Sequence, residues 1–290
     1  MSFFTSIADA REKLAKTGYL VDEELATVVF LGDALGKPIM LEGPAGTGKT
    51  ELAKAVAEAA GATLVRLQCY EGLDESRALY EWNYRKQLLR IQSAQGDESS
   101  EWTVLHDDIF SEEFLLSRPL LTAIRQTGPT VLLVDETDKA DVEVEGLLLE
   151  VLSEFQVTIP ELGTIASTHV PFVVLTSNAT RELSEALKRR CLYAHVDYPD
   201  AIRERAIVMS RVPETTEELA TELVRAVRAM RTMELRKAPS VAETIDWARA
   251  MNVLGVTELT EEVMEQTLGV VLKHQNDRNR VRETLHIGGK

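Results

Sequence analysis

The chain has little of several residue types, and each shortage excludes a class of protein. Only two of its 290 residues are cysteine, so neither a disulfide framework nor a cysteine-rich metal centre is predicted for Cys69 and Cys191. No run of about 18 apolar residues is present, so no membrane-spanning helix is expected. The first residues also lack the basic and apolar regions of a secretion signal. Together these absences predict a reduced, cytoplasmic protein.

Positive charge is also scarce. The chain has 32 Lys and Arg against 47 Asp and Glu, which gives a formal net charge of −15. A surface that holds a nucleic acid backbone is rich in Lys and Arg, so this balance argues against nucleic acid as the main partner. No metal other than nucleotide-bound Mg²⁺ is predicted, because the histidines match no metal-binding spacing. The five histidines are His106, His169, His195, His274 and His286.

The most specific motif in the sequence is a phosphate-binding loop. The segment Gly43-Pro44-Ala45-Gly46-Thr47-Gly48-Lys49-Thr50 fits the pattern G-x-x-x-x-G-K-[ST] at every fixed position. A predicted strand precedes it, and a predicted helix over Glu51–Ala60 follows, so backbone N–H groups can point at phosphate oxygens. The motif, with Glu51 after it, therefore predicts nucleoside triphosphate binding, with Lys49 at the β- and γ-phosphates and Thr50 at Mg²⁺. The alternative is a structural glycine turn.

Two adjacent carboxylates follow an apolar strand downstream of this loop. The strand Thr130–Val134 runs directly into Asp135 and Glu136. Asp135 is expected to ligate Mg²⁺, largely through water. Glu136 is expected to orient and deprotonate the attacking water, which raises the rate by roughly 10²–10⁴. A solvated strand end is the alternative, and the phosphate loop upstream favours the hydrolytic interpretation.

Polar and basic residues complete the predicted site. Asn178 follows the strand Val170–Ser177, where it could contact the γ-phosphate and the attacking water; ordinary turn chemistry is the alternative. Arg189 and Arg190 close the next helix, where the helix dipole alone explains cations. The functional alternative is an arginine finger for a neighbouring subunit, which raises the rate by roughly 10³–10⁵. Arg190 is the preferred finger.

The order of predicted strands and helices indicates an α/β fold with a doubly wound, five-stranded parallel sheet. The continuously apolar runs Val131–Val134 and Phe172–Leu175 are typical of strands that are buried on both faces. The predicted strands are Pro38–Leu41, Thr63–Gln68, Thr130–Val134, Val170–Ser177 and Leu192–Val196. We expect residues 1–200 to form this nucleotide-binding core and residues 201–290 to form a smaller, all-helical lid domain. The predicted lid helices are Ile202–Met209, Leu219–Met233, Val241–Met251 and Val263–Leu272, with a capping box at Ser240–Glu243.

Two segments lie between the predicted strands. An insert near residues 70–110 includes a predicted helix Asp74–Gln92, with Ala78, Leu79, Trp82 and Leu89 on one face, and a polar surface loop Ser93–Ser100. A β-hairpin near residues 155–167 is predicted from Phe155–Ile159 and Thr164–Ile165. Each segment has two interpretations, since the insert could be core packing or a partner-binding arm. The hairpin could likewise be a plain surface hairpin or a loop that contacts a partner.

This order of motifs resembles the AAA+ ATPases over nearly the whole chain. The approach Pro38–Gly46, the insert and the hairpin before Asn178 are similar to the MoxR branch of that superfamily. The segments Leu67–Asp74, Ala78–Tyr84 and Pro239–Ala248 resemble the CoxD-like subgroup, which is associated with carbon monoxide dehydrogenase maturation.

The resemblance implies a ring, usually a hexamer, in which Mg²⁺-dependent ATP hydrolysis drives the remodelling of a client protein. It implies a von Willebrand factor A domain protein as partner. The implied client is a metalloenzyme, a molybdenum hydroxylase whose metal centre needs maturation. It also points to Tyr19 and Leu20 near the adenine. Many relatives place an arginine at the start of the lid helix, but Ser240–Thr244 has none, and Arg236 or Lys237 could substitute.

Other functions use the same nucleotide fold. A nucleic-acid motor or restriction-type translocase needs a basic channel, which the acidic balance disfavours. A nucleotide-dependent scaffold with negligible turnover is disfavoured by Glu136 and the paired arginines. ATP is favoured over GTP because no N-K-x-D signature is present.

The sequence generates one direct prediction for the phosphate loop. Lys49→Ala should abolish nucleotide binding, because it removes the cation expected at the β- and γ-phosphates. Titration with a fluorescent ATP analogue checks this result, and wild-type affinity in the variant would contradict the assignment of Lys49.

Overall fold

The fold is built around a five-stranded sheet, in a computed structural model that describes residues 2–94 and 102–284. Within these residues the strands are β1 (Ile39–Glu42), β2 (Thr63–Gln68), β3 (Tyr80–Trp82), β4 (Leu115–Ser117), β5 (Thr130–Asp135), β6 (Gln156–Ile159), β7 (Gly163–Ala166), β8 (Phe172–Ser177) and β9 (Leu192–His195). The main sheet is parallel and has the order β2-β5-β8-β1-β9. The predicted fold class is therefore confirmed, and each of the five predicted strands is present.

The helices of the described residues lie between and after these strands. They are α1 (Ile7–Lys16), α2 (Glu23–Leu35), α3 (Lys49–Ala60), α4 (Glu75–Ala78), α5 (Tyr84–Ala94), α6 (Trp102–Ile109), α7 (Pro119–Ile124), α8 (Val142–Glu154), α9 (Glu185–Arg190), α10 (Ala201–Arg211), α11 (Glu217–Arg231), α12 (Val241–Leu254), α13 (Glu261–Val271) and α14 (Gln275–Thr284). The predicted lid helices correspond to α10–α13, and α14 was not predicted. The capping box of α12 is confirmed. The Ser240 side chain accepts a hydrogen bond from the Glu243 N–H, and the Glu243 side chain accepts one from the Ser240 N–H.

The two central strands determine where the polar side chains of the sheet lie. Every residue of β5 and β8 is buried, in agreement with their apolar sequences. The two strands are parallel neighbours, with Val134 opposite Leu175. Their carboxyl ends therefore lie side by side, which brings Asp135 and Glu136 near the end of β8.

The predicted helix Asp74–Gln92 is wrong, because β3 interrupts it between α4 and α5. The strand β3 pairs antiparallel with β4, with Trp82 opposite Leu115. The Trp82 ring packs edge-on against Phe110 at a centroid distance of 5.2 Å. Trp82 is buried whereas Leu89 is 67% exposed, so these residues do not share a helix face. Pairing with β4, which lies far along the chain, overrides the local helical spacing.

The predicted hairpin is confirmed by β6 and β7, which pair antiparallel with Ile159 opposite Gly163. The predicted polar loop Ser93–Ser100 begins inside α5, and its residues after Ala94 lie outside the described part of the chain. No helix of the described residues is long and apolar enough to cross a membrane.

The chain divides into two compact units, as far as its residues are described. The first unit contains Met1–Lys13, Asp22–Glu42 and Ala53–Ala194, and thus the main sheet. The second contains Leu14–Val21, Gly43–Leu52 and His195–Lys290, and thus the phosphate loop and the C-terminal helices.

A buried ion pair lies within the second unit. The Arg231 guanidinium donates two hydrogen bonds of 2.7 Å to the Glu204 carboxylate, and Glu204 is fully buried. Glu204 also accepts a 2.9 Å bond from the Thr244 hydroxyl. The pair therefore joins α10, α11 and α12, and a buried carboxylate of this kind depends on its partners.

Loss of this pair should destabilise the protein. Arg231→Met is expected to lower the free energy of unfolding by about 3–5 kcal/mol, because it leaves the buried Glu204 charge uncompensated. Urea denaturation measures the change. Arg249→Met is the matched control, because Arg249 pairs with Asp246 at 3.2 Å with both side chains more than half exposed. The control should cost less than about 1 kcal/mol, and equal losses in the two variants would contradict the interpretation.

Candidate nucleotide-binding and hydrolysis residues

The phosphate loop follows β1 directly in the chain and ends where α3 begins at Lys49. Gly46 has φ +74°, a backbone conformation that residues other than glycine rarely adopt. The Lys49 side chain is buried, and its ammonium donates to the carbonyl oxygens of Gly43 and Pro44 at 2.7 Å each. The lysine charge is therefore held within the loop by backbone oxygens.

Other segments of the second unit pack against this loop. The Tyr19 hydroxyl donates to the Gly48 carbonyl at 3.1 Å. The Arg203 guanidinium donates to the Leu20 carbonyl at 2.8 Å, which ties the Tyr19–Leu20 segment to α10. A Cβ added at Gly46 would lie 2.3 Å from Cβ of Ser240. The two residues proposed for the adenine thus lie on a segment bonded to both the loop and α10.

An arginine of the C-terminal helices contacts the start of α3, but at a position the sequence did not indicate. Arg211, the last residue of α10, lies 3.2 Å from the Glu51 carboxylate. Arg236 and Lys237, the predicted substitutes for a lid arginine, make other contacts. Their backbone N–H groups donate to the Asp277 carboxylate. No motif marks Arg211, because its partner is 160 residues away in sequence.

The Asp135 carboxylate is buried at the end of β5 and has partners on both neighbouring strands. Its Oδ1 accepts a 2.6 Å bond from the Thr176 hydroxyl of β8. Its Oδ2 accepts a 2.5 Å bond from the Arg66 guanidinium of β2. Arg66 and Thr176 were not among the predicted site residues. Their bonds to Asp135 can be recognised only when the strand order is known, because both residues lie about 40–70 positions from Asp135 in sequence.

Glu136 adopts an unusual backbone conformation. Its φ is +55°, in the left-handed region that costs a non-glycine residue roughly 1–2 kcal/mol. Its N–H donates to the Thr176 hydroxyl at 2.9 Å, which supports the conformation. The Glu136 carboxylate accepts bonds from Gln68 at 3.0 Å and Lys139 at 2.6 Å, and it is one-third exposed. The hydrogen bond to Glu136 raises the pKa of Lys139, and the negative charge of Glu136 raises it further.

Asn178 lies immediately after β8, in a turn that a second carboxylate holds. The Asn178 N–H donates to Asp138 Oδ1 at 3.2 Å, and the Thr180 N–H donates to Asp138 Oδ2 at 3.1 Å. Burial acts to raise the pKa of Asp138, but hydrogen bonds from Thr180 and Asn178 outweigh it and lower the pKa. The structure thus places Asp135, Glu136 and Asn178 together at one edge of the sheet.

The neighbouring cysteine is not suited to nucleophilic chemistry. The backbone N–H of Cys69 donates to the Asp135 carbonyl at 2.8 Å. Burial, and then the carboxylates of Asp135, Asp138 and Glu136, raise the pKa of the Cys69 thiol to about 12. The thiol therefore stays protonated at neutral pH, and the thiolate is the reactive form.

The predicted finger residues are exposed at the end of α9. The Arg190 guanidinium donates to the Ser153 hydroxyl at 2.7 Å and to the Ala186 carbonyl at 3.1 Å. Arg189 is also exposed. Their action on a neighbouring subunit stays a prediction.

The residues predicted to hold Mg²⁺ are chemically suited to that ion. Mg²⁺ prefers oxygen ligands, and Thr50 and Asp135 offer a hydroxyl and a carboxylate. Asp135 is 3% exposed, so an oxygen donor is already fixed at the end of β5.

Residues 38–191, more than half of the chain, match the model of the AAA domain family, dynein-related subfamily. The chain therefore belongs to the AAA domain family, dynein-related subfamily. It is accordingly an ATPase that binds nucleotide, and Mg²⁺ is the usual partner ion of such a nucleotide. Proteins of this family commonly form rings.

Relatives with curated sequences are distant but span most of the chain. An uncharacterized protein of Staphylococcus haemolyticus is 22% identical over 87% of this chain and 91% of its own length. An uncharacterized protein of Staphylococcus epidermidis is 23% identical with the same coverage. Among solved structures, a mutant of RuvB from Thermotoga maritima has a TM-score of 0.51 at 14% identity. That likeness covers 96% of this chain and 82% of the RuvB chain, and it concerns the fold alone.

The close approach at Gly46 generates a prediction for the loop. Gly46→Ala should weaken ATP binding at least about tenfold, because the new methyl group would displace the loop or Ser240. Gly72→Ala is the matched control, because Gly72 has φ +79° but nothing within 4 Å of the added Cβ. Titration with a fluorescent ATP analogue compares the two variants, and equal affinities would show that the contact with Ser240 is unimportant for binding.

Proposed function

We propose that this protein is a remodelling ATPase of the MoxR type, in which ATP hydrolysis drives a conformational change in a client protein. The observation that carries the hydrolytic part is the position of Glu136. Its carboxylate is one-third exposed beside the buried Asp135, and Gln68 and Lys139 orient it. A carboxylate fixed in this way is suited to act as a general base toward water.

The remaining roles follow from the residues already described. Lys49 binds the β- and γ-phosphates, and the backbone N–H groups of residues 43–51 bind the other phosphate oxygens. Thr50 and Asp135 hold Mg²⁺, which when bound neutralises charge on the phosphate oxygens. Asn178 contacts the γ-phosphate.

Glu136 performs the proton transfer of this mechanism. Its carboxylate orients a water molecule for attack on the γ-phosphorus and accepts a proton from that water. The Lys139 ammonium, which lies 2.6 Å from the carboxylate, fixes its orientation before the transfer. The group that leaves is ADP, and inorganic phosphate is the second product.

The assembly is proposed to be a hexameric ring in which Arg190, with Arg189 beside it, acts on the nucleotide of the next subunit. Support comes from their exposure at the end of α9 and from the rings that are common in this family. An arginine supplied across an interface stabilises the charge that develops on the transferred phosphoryl group.

The proposed client is a molybdenum hydroxylase, such as carbon monoxide dehydrogenase, whose metal centre needs assembly. The proposed partner is a von Willebrand factor A domain protein. Support comes from the sequence segments at Leu67–Asp74 and Pro239–Ala248. The small sheets β3–β4 and β6–β7 lie outside the main sheet, and we propose that they contact these proteins.

A variant of the base tests the hydrolytic mechanism. Glu136→Gln should bind ATP with wild-type affinity but hydrolyse it about 10²–10⁴-fold more slowly, because an amide cannot accept the proton from water. Steady-state phosphate release measures turnover. Glu143→Gln, an exposed position on α8, is the control and should retain normal turnover. Normal turnover in Glu136→Gln would refute the assignment of the base.

Mixing inactive subunits tests the shared site. Arg190→Ala and Glu136→Gln subunits should each be nearly inactive alone, but mixed rings should recover some turnover. Recovery is expected because some interfaces then combine an intact Glu136 with an intact Arg190. Phosphate release is measured across mixing ratios, and no recovery at any ratio counts against action of Arg190 in a neighbouring subunit.

A further inference from the structure

A buried carboxylate that the proposed mechanism does not use lies three residues after Asp135. Asp138 belongs to a single 3₁₀ turn, Thr137–Lys139, and is 3% exposed. It accepts bonds from the N–H groups of Asn178 and Thr180, and a third bond of 2.5 Å from the Thr180 hydroxyl. All three donors belong to the turn that follows β8, so Asp138 joins the ends of two neighbouring strands.

The turn that Asp138 holds is strained. Ala179 has φ +56°, in the left-handed region that costs a non-glycine residue roughly 1–2 kcal/mol. The Ala179 N–H donates to the Ser177 hydroxyl at 3.0 Å. Backbone strain of this kind persists only where surrounding contacts enforce it. The bonds on either side of Ala179, from Asn178 and Thr180 to Asp138, are those contacts.

The support is reciprocal between the two strand ends. On the β8 side, the Thr176 hydroxyl accepts from the Glu136 N–H and donates to Asp135, so it holds the left-handed conformation of Glu136. On the β5 side, Asp138 holds the turn that contains Asn178. Each strand end thus contains one left-handed residue, Glu136 or Ala179, whose conformation depends on a side chain of the other.

We propose that Asp138 is a positioning residue for ATP hydrolysis, which fixes the turn of Asn178 relative to Glu136. This inference rests on the roles given above to Asn178 and Glu136. An ionised carboxylate suits the position because it only accepts hydrogen bonds and here faces three donors. Asparagine would direct an N–H₂ group at one of those donors, so it cannot satisfy the turn in the same way.

A double-mutant cycle tests the inference by measuring kcat and KM for ATP. Asp138→Ala should lower kcat by about 10–100-fold, because small displacements of a reacting group are costly. KM should stay nearly unchanged, because the phosphate loop, which is proposed to bind the phosphates of ATP, keeps all its contacts. Asn178→Ala should lower kcat by a comparable factor. The double variant should be within about threefold of Asn178→Ala, because both changes remove the same contribution.

The outcomes separate this inference from the proposed function. Normal kcat in Asp138→Ala, or losses that multiply in the double variant, would overturn the positioning role. Normal kcat in Asn178→Ala would instead refute the role of Asn178 in the proposed function. A raised KM with normal kcat would also count against Asp138 as a positioning residue.

Two further variants address whether Asp138→Ala folds and whether the effect is specific to Asp138. If Asp138→Ala does not fold, Thr180→Val removes only the hydroxyl donor, and it should lower kcat with KM unchanged; wild-type kcat would again overturn the inference. Asp141→Asn is the matched control. This exposed carboxylate accepts a hydrogen bond of 3.1 Å from the N–H of Gly72, a residue outside the Asn178 turn. Its kcat should equal that of the wild type.

Discussion

The arrangement at the sheet edge depends on the cost of burying carboxylates. Asp135 and Asp138 are each 3% exposed, and an ionised group can be buried only where hydrogen bonds or opposite charge compensate it. Both aspartates find partners in or directly after β8: Asp135 bonds Thr176, and Asp138 bonds the turn of Asn178 and Thr180. This requirement fixes the end of β5 against the end of β8.

The same bonds connect stability with chemistry. The apolar strands β5 and β8 pack in the core, so their polar groups are confined to the strand ends, where they must bond one another. Glu136 and Ala179 are left in strained, left-handed conformations there. Strain of this kind is typical of functional sites, where it holds reacting groups in place. The residue proposed as general base, Glu136, and the residue proposed to contact the γ-phosphate, Asn178, are thereby held on adjacent strand ends.

Local patterns predicted much of this structure, whereas contacts between distant residues escaped prediction. The apolar runs, the glycine-rich loop and the capping box at Ser240 each depend on a few neighbouring residues, so they are visible in the sequence. The interruption of the helix Asp74–Gln92 depends on pairing with β4, and the bonds of Asp135 to Arg66 and Thr176 depend on strand order. Helical spacing alone contains neither kind of information.

Amide hydrogen exchange at residue resolution tests most directly whether the two strand ends form one unit. The N–H groups of Glu136, Asn178 and Thr180 are bonded to side chains of the opposite strand end. If the ends open together, the three amides should report the same opening free energy, and Asp138→Ala should lower it for all three, including Glu136. An opening free energy for Glu136 that differs from the other two by more than about 1 kcal/mol would show that the two strand ends open independently, against the proposed reciprocal support.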